Sequence, residues 1–319
     1  MRAPGQGTPP VAADLIDQID AWLGHPALHT LLERFGAPPP TAGLDVVADW
    51  TSANWNFRAG RERNFLDPGA LAPETDTLAV RLAAELGLVT PERPSLPEYD
   101  HLLTLGGLIG GCVWRAEYAK HLLETGTRAQ HVTAITGRRL LYDNETALLT
   151  VFGLPALLDE SEVLREVVNR SFGPDGLTVV ARSPGETVPN AQWSVEEGLV
   201  PGGPPISVVM APSSEPATRR ANTPDSYRFW AEEVAELSAD DRILLVTSQT
   251  YVPFQHADAV RMLGLPYGCS VETVGIDRSV VNGRGIAGNA RGVTYLQEIN
   301  SALRSFRMLR DALARQDRP

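Results

Sequence analysis

The stretch Asp241–Leu263, DRILLVTSQTYVPFQHADAVRML, decides the fold. Its short apolar run is rich in branched residues and stops abruptly at Thr247-Ser248-Gln249-Thr250, after which a helical spacing takes over. An apolar run of this length between polar boundaries reads as a buried strand of a parallel sheet. In open α/β sheets, ligands collect beyond the carboxyl ends of the strands, where hydroxyls and helix N-termini converge. The same stretch therefore predicts the fold class and the end of the sheet where a site belongs.

Working outward, the runs HLLTLGG, HVTAITG, LTVVARS, ISVVMAP, RILLVTS and VETVGID read as six strands beyond Tyr99. Helical segments over 113–124, 160–172, 224–237 and 255–263 lie between most of them, and a closing amphipathic helix is predicted over Tyr295–Ala314. This alternation predicts a Rossmann-like α/β domain over 98–319, with a mostly parallel sheet flanked by helices and right-handed crossovers. Before it, LIDQIDAWL, ALHTLLERF and TLAVRLAAELGL carry apolar residues at three-to-four spacing. They predict a helical subdomain over 11–97, ending in a proline-rich linker at Pro91–Pro97. Residues 1–10 have the composition of a disordered tail.

The 319-residue chain has enough apolar material for a sizeable core, at 43% hydrophobic and 21% charged. A formal net charge of -11 argues against a general nucleic-acid binder, which needs clustered basic surface. Two cysteines, Cys112 and Cys269, lack the spacing of a zinc site or a disulfide framework. The N-terminus has no signal-peptide core, and no window reaches the roughly 18 apolar residues of a membrane span. A cytoplasmic protein is the expectation. Lysine is nearly absent while Arg, Ala, Gly and Pro abound, which points to a GC-rich bacterial genome.

Four strand-end loops are the candidate site-builders. The first offers Gly106 and Gly107, with Arg115 near the start of the next helix; its spacing is not GxGxxG. Gly106-Gly107 and Gly110-Gly111 allow close backbone approach to a ligand, and for Gly110-Gly111 a turn used only for packing is an equal reading. The second, Thr136-Gly137-Arg138-Arg139, places adjacent guanidinium forks where a phosphate, sulfate or carboxylate would bind. The competing reading pairs them with Asp143 and Glu145. The third brings Arg219 and Arg220 before Asn222 and Thr223, which read either as an anion grip or as a plain helix cap. The fourth supplies Ser248, Gln249 and Tyr251, with His256 one turn into the following helix as the best-placed acid–base histidine.

Outside the sheet, Asp49–Phe65 interleaves aromatics, Trp55 among them, with Asn56, Arg58, Arg61 and Arg63. That mixture fits a lid or substrate-recognition loop, an aromatic-anchored loop packed against the α/β domain, or a surface for a protein partner. Walker, HExxH, GxSxG and CxxC motifs are absent from the sequence, as is an acidic cluster with magnesium spacing. The residues imply neither metal nor cofactor.

The order Leu105-Gly106-Gly107, Arg115, Thr136-Gly137, Asn222-Thr223 and Val246-Thr247-Ser248 resembles the YdcF/SanA-like superfamily of Rossmann-type domains. The resemblance covers roughly Tyr99–Ile276. It implies envelope-related functions or S-adenosylmethionine binding. Departures weaken direct transfer: Arg138-Arg139 replace a glycine, Tyr251 stands where the family has His, and the family's Arg falls near Phe254 or Gln255. The resulting expectation is a divergent member acting on an anionic small molecule in specialised bacterial metabolism. Its reaction is expected to be metal-independent elimination or intramolecular displacement of sulfate or phosphate. Tyr251, His256 or Glu145 would move the proton. The alternatives are a phosphoesterase or transferase, and a non-catalytic holder of S-adenosylmethionine or a nucleotide.

Overall fold

A computed structural model describes residues 1–57, 71–185, 188–281 and 291–316. Five strands run parallel: β1 (Glu98–Leu105), β2 (Arg128–Gly137), β5 (Pro205–Ala211), β6 (Arg242–Thr247) and β7 (Ser270–Gly275). They lie in the order β5-β2-β1-β6-β7. β1 feeds β2 on one side and has β6 on the other, so the strand order reverses beside β1. A crevice opens at such a reversal, beyond the carboxyl ends. β6 is buried from Ile243 through Thr247, as its uninterrupted apolar run requires.

Two antiparallel strands, β3 (Asp175–Arg182) and β4 (Ser194–Leu199), extend the sheet beyond β5. The sequence reading anticipates β3 but not β4. SVEEGL carries two glutamates and buries only Val195, so it shows no apolar run. β3 forms the sheet edge and leaves Val179 and Val180 more than half exposed, at 52% and 54%.

Helices cover both faces. On one side α5 (Ile109–Glu124) and α7 (Glu160–Phe172) pack Cys112, Ala116, Val163 and Val167 against Leu102, Val132 and Leu244. α7 is set by its ends: Asp159 accepts from the Ser161 and Glu162 amides, and Gly173 turns left-handed at the other end. A short α6 (Asp143–Val151) precedes it. On the other face α8 (Thr223–Glu233) and the residues after α9 (Val252–Ala259) bury Tyr227, Trp230 and Leu263 on Leu103, Ile135 and Leu245. α9 widens into a π-helical turn over Val260–Gly264 and ends in the single turn of α10 (Leu265–Tyr267).

A further helical layer comprises α1 (Ala12–Leu23), α2 (Pro26–Arg34), α3 (Leu44–Asn54) and α4 (Pro73–Glu85). Its core is completed by α11 (Gly292–Gln316), which contributes Leu296, Ile299, Leu303, Phe306, Leu309 and Leu313. The closing helix thus belongs with the N-terminal helices, although the sequence places it in the α/β domain.

Residues 1–10 are not a loose tail. The Gln6 side-chain amide pairs with both the carbonyl and the amide of Thr273 on β7, at 2.9 and 2.7 Å. The Gly7 amide donates to the Val271 carbonyl at 2.7 Å. The segment therefore satisfies the outer edge of β7, a role that composition cannot reveal. No helix among the described residues is long and apolar enough to cross a membrane.

Candidate functional site

At the strand-order reversal the predicted residues do meet, and they meet one another. Arg115, buried on α5, donates to the carbonyls of Leu105 (2.8 Å) and Gly106 and to Ser248 Oγ at 3.3 Å. Its guanidinium carbon stands 5.9 Å from the centre of the Tyr251 ring. It therefore ties the end of β1 to the end of β6. Arg139 donates to Glu145 through both terminal nitrogens (2.5 and 3.0 Å) and to Glu160 through Nε (2.7 Å). Its remaining reach goes to the Gly107 carbonyl at 3.2 Å. Burial penalises the Arg139 charge, but the two glutamates outweigh it and hold the guanidinium protonated well above its ordinary range.

This corrects two expectations. Arg139 is not an anion grip, because two carboxylates already saturate its fork. Glu145 is not poised to move a proton, because it is buried as the counterion of Arg139 and accepts from the Tyr142 amide. The glycine beside them packs: a Cβ on Gly106 would fall within 2.6 Å of Thr136 Cβ, leaving no room for a ligand. Arg138 pairs with Asp159, which is itself the cap of α7.

The third loop is a helix cap. Asn222 and Asp225 form a capping box at the start of α8, with Pro224 in the first turn and Thr223 as its first residue. Arg219 donates to Asp225 at 2.5 Å and to Glu215. Burial raises the Asp225 carboxyl, but bonds from Arg219, Ser214 and the Asn222 amide outweigh it and hold the group below the usual carboxylate range. The nearby Arg220 donates to the Ala221 carbonyl at 3.2 Å.

His256 is wholly enclosed. Its Nδ1 pairs with Thr273 Oγ1 at 2.9 Å, and burial pushes its pKa down to about 4, partly offset by the Pro4 and Gly5 backbone. It lies beneath the N-terminal segment, away from solvent, so an acid–base role does not fit. Trp55 is a core residue, packed edge-on against Phe35 and Trp50 at 5.6 Å in each case. Asp49–Asn54 belong to α3 rather than to a lid, and Asn56 is half-buried. Arg58, Arg61 and Arg63 lie outside the described residues.

The open space lies one step along the sheet. A cavity of about 740 Å³ sits beyond the ends of β6 and β7, closed on its other side by α4 and the turn after it. Ser248, Gln249 and Thr250 reach it from the fourth loop, Asp277, Arg278 and Ser279 from the end of β7, and Arg291 and Tyr295 from the start of α11. Asp76 and Arg81 reach it from α4. Gln249 also donates to the Gly87 carbonyl at 2.6 Å, fixing the helical layer to the strand end.

The cavity's acids are already answered. Asp76 accepts from the Gly292 amide at 2.8 Å, and Asp277 accepts from the Ser279 amide and hydroxyl at 2.9 and 2.7 Å. The bonds from Ser279 hold Asp277 below the usual carboxylate range. Arg81 is paired with Glu85. Arg278 and Arg291 are exposed and have no ion-pair partner among the described residues. The Tyr295 hydroxyl is pushed up by burial, and Arg278 and Thr250 partly pull it back. No group of three or more metal-ligating side chains occurs among the described residues.

Sequence reasoning missed Arg278, Arg291 and Tyr295. A signal is present for the first: Asp277-Arg278-Ser279 is a polar turn directly after a predicted strand, like the other four strand-end loops. Nothing comparable marks Arg291 and Tyr295, which reach the cavity from the opening of the last helix.

Comparison with known proteins places the chain. A family model described as the Rv3785 N-terminal domain matches residues 6–87, which span α1 to α4. Uncharacterized protein Rv3785 of Mycobacterium tuberculosis (strain ATCC 25618 / H37Rv) is 31% identical over 336 aligned positions. The alignment covers 97% of this chain and 93% of that protein. Uncharacterized protein Mb3814 of Mycobacterium bovis matches with the same identity and coverage. No solved structure matches at a significant level. At that identity over nearly the whole of both chains, the chain belongs to the Rv3785 family.

Proposed function

We propose that this protein is an enzyme acting on a small organic anion held in the cavity between α4 and the carboxyl ends of β6 and β7. One observation carries the reading: Arg278 and Arg291 border that cavity with no ion-pair partner among the described residues, in a chain of net charge -11 whose other strand-end arginines are largely paired internally. Guanidinium forks left open at a strand end suit phosphate, sulfate or carboxylate. Ser248, Thr250 and Ser279 add hydroxyls along the same wall.

The reaction these groups fit is metal-independent intramolecular displacement, or elimination, of a sulfate or phosphate. The substrate's own nucleophile forms the new bond to carbon as the carbon–oxygen bond breaks with its electron pair on the leaving oxygen. The nucleophile's proton passes to solvent, and the arginines offset the charge that develops on the departing anion. Tyr295 stays protonated at neutral pH and can hydrogen-bond that oxygen. Asp277 is a weak base, which favours displacement by a nucleophile within the substrate over carbon deprotonation. We read the chain as a divergent relative of YdcF/SanA-like domains on the ordered motifs alone. That reading supports a small-molecule site at the same end of the sheet and keeps a non-catalytic S-adenosylmethionine or nucleotide holder as the second function.

A thermal-shift series with sulfate, phosphate, nucleotides and S-adenosylmethionine tests the proposal. Sulfate or phosphate should raise Tm in the native protein and lose most of that effect in Arg278→Ala and Arg291→Ala. A response confined to S-adenosylmethionine or a nucleotide favours the second reading. If no anion stabilises the native protein more than the double variant, the anion site is refuted.

A further inference from the structure

The same cavity has two kinds of wall. Val80, Val89 and Pro91 form an apolar side contributed by α4 and the turn after it, and Ile276 with the Tyr295 ring continues it at the sheet. Arg278, Arg291 and the hydroxyls of Thr250 and Ser279 form the polar side. At about 740 Å³ the space is far larger than a free sulfate or phosphate, and it falls within the range of clefts that bury drug-sized organic molecules. An inorganic anion on the arginines would leave the apolar wall against water. A neutral apolar molecule would leave the two exposed guanidinium groups to water and make no use of their charge.

Resting on the anion-site reading above, we infer that the ligand is an amphipathic organic anion: a sulfate, phosphate or carboxylate joined to an apolar body about the size of two fused rings. Its charged end lies against Arg278 and Arg291, and its body lies against Val80, Val89, Pro91 and Ile276. The specificity for that body then comes from the helical layer, because Val80 and Val89 belong to α4 and its following turn. The charge recognition comes from the end of β7 and the start of α11. Neither layer makes the site alone.

Isothermal titration of the full chain with three probes separates the parts: naphthalene-1-sulfonate, methanesulfonate and 1-naphthol. Naphthalene-1-sulfonate should bind at one site per chain and at least about tenfold more tightly than either of the others, as expected when both a charge and an apolar body are matched. Arg278→Ala with Arg291→Ala should reduce it to the affinity of 1-naphthol. Val80→Ser with Val89→Ser should reduce it to the affinity of methanesulfonate while leaving methanesulfonate itself unchanged, which also shows that the variant is folded. If methanesulfonate and naphthalene-1-sulfonate bind equally, the anion site stands and the apolar-body inference falls. If neither binds, the anion reading itself falls. If 1-naphthol binds as tightly as the sulfonate, the cavity is an apolar pocket and the arginines are incidental.

Discussion

Arg139 sits among Glu145, Glu160 and the Gly107 carbonyl, so its charge is answered inside the protein. Removing it would leave two buried carboxylates facing each other without a cation. Arg139→Ala should therefore cost about 3–5 kcal/mol, read as a lowered urea midpoint. Arg278, exposed and without an ion-pair partner among the described residues, should give a variant within about 0.5 kcal/mol of the native protein. Equal stability losses at the two positions would contradict the distinction between a structural and a ligand-facing arginine. His256 gives a pH test at the same scale. Its folded pKa, about 4, lies below the ordinary value of 6.5, so the unfolded chain takes up a proton first as pH falls. The stability this residue supports is present above pH 6.5 and is lost between about pH 6.5 and 4, on the order of 3 kcal/mol in all. Urea midpoints at pH 7 and pH 4.5 should differ less in His256→Gln than in the native protein. An unchanged difference would mean that other groups set the acid sensitivity.

Strands were the elements most legible in the sequence, because burial on both faces writes itself as an unbroken apolar run, as in Ile243–Val246. The Asn222–Asp225 cap was legible for a similar reason: its partners are three residues apart. The arginine partners were not. Glu160 is 21 residues from Arg139, and only the packing of α7 on the sheet brings it there. Position along the chain marked Arg138, Arg139, Arg219 and Arg220 as equivalent anion grips, whereas packing makes Arg139 a buried counterion and Arg219 the partner of a helix cap. The turn between β6 and α9 depends on a glycine of a neighbouring strand. A Cβ on Gly275 would stand 2.5 Å from Gln249 Cα, so the Gln249–Tyr251 turn fits only over a bare backbone. Gly275→Ala should displace that turn, cost about 1–3 kcal/mol and weaken anion binding through Ser248 and Thr250. Native stability and binding in that variant would show that the turn is more adaptable than its packing suggests.

The whole molecule is joined differently from the way its sequence divides. A family unit is recognisable over residues 6–87, and the helical pattern of α1 to α4 suggests a subdomain that could stand alone. In the structure the core of that unit is filled from the other end of the chain. Trp22 meets Phe306 edge-on with ring centres 5.0 Å apart, and Leu296, Ile299, Leu303 and Leu309 lie wholly buried in the same cluster. α9, from the α/β side, adds Ala257 to that cluster, with Val260 just after it. Without α11 the four N-terminal helices would expose this apolar surface to water, at about 1.5–3 kcal/mol for each large side chain. A fragment of residues 1–97 should accordingly show no cooperative thermal transition by circular dichroism. Adding a peptide of residues 292–316 should restore helical signal and a transition, whereas the same peptide carrying Phe306→Ala should do so less well. A sharp, reversible melt of 1–97 by itself would establish an independent subdomain. The cavity would then lie between two separable units, and α11 would be a clasp rather than part of the core.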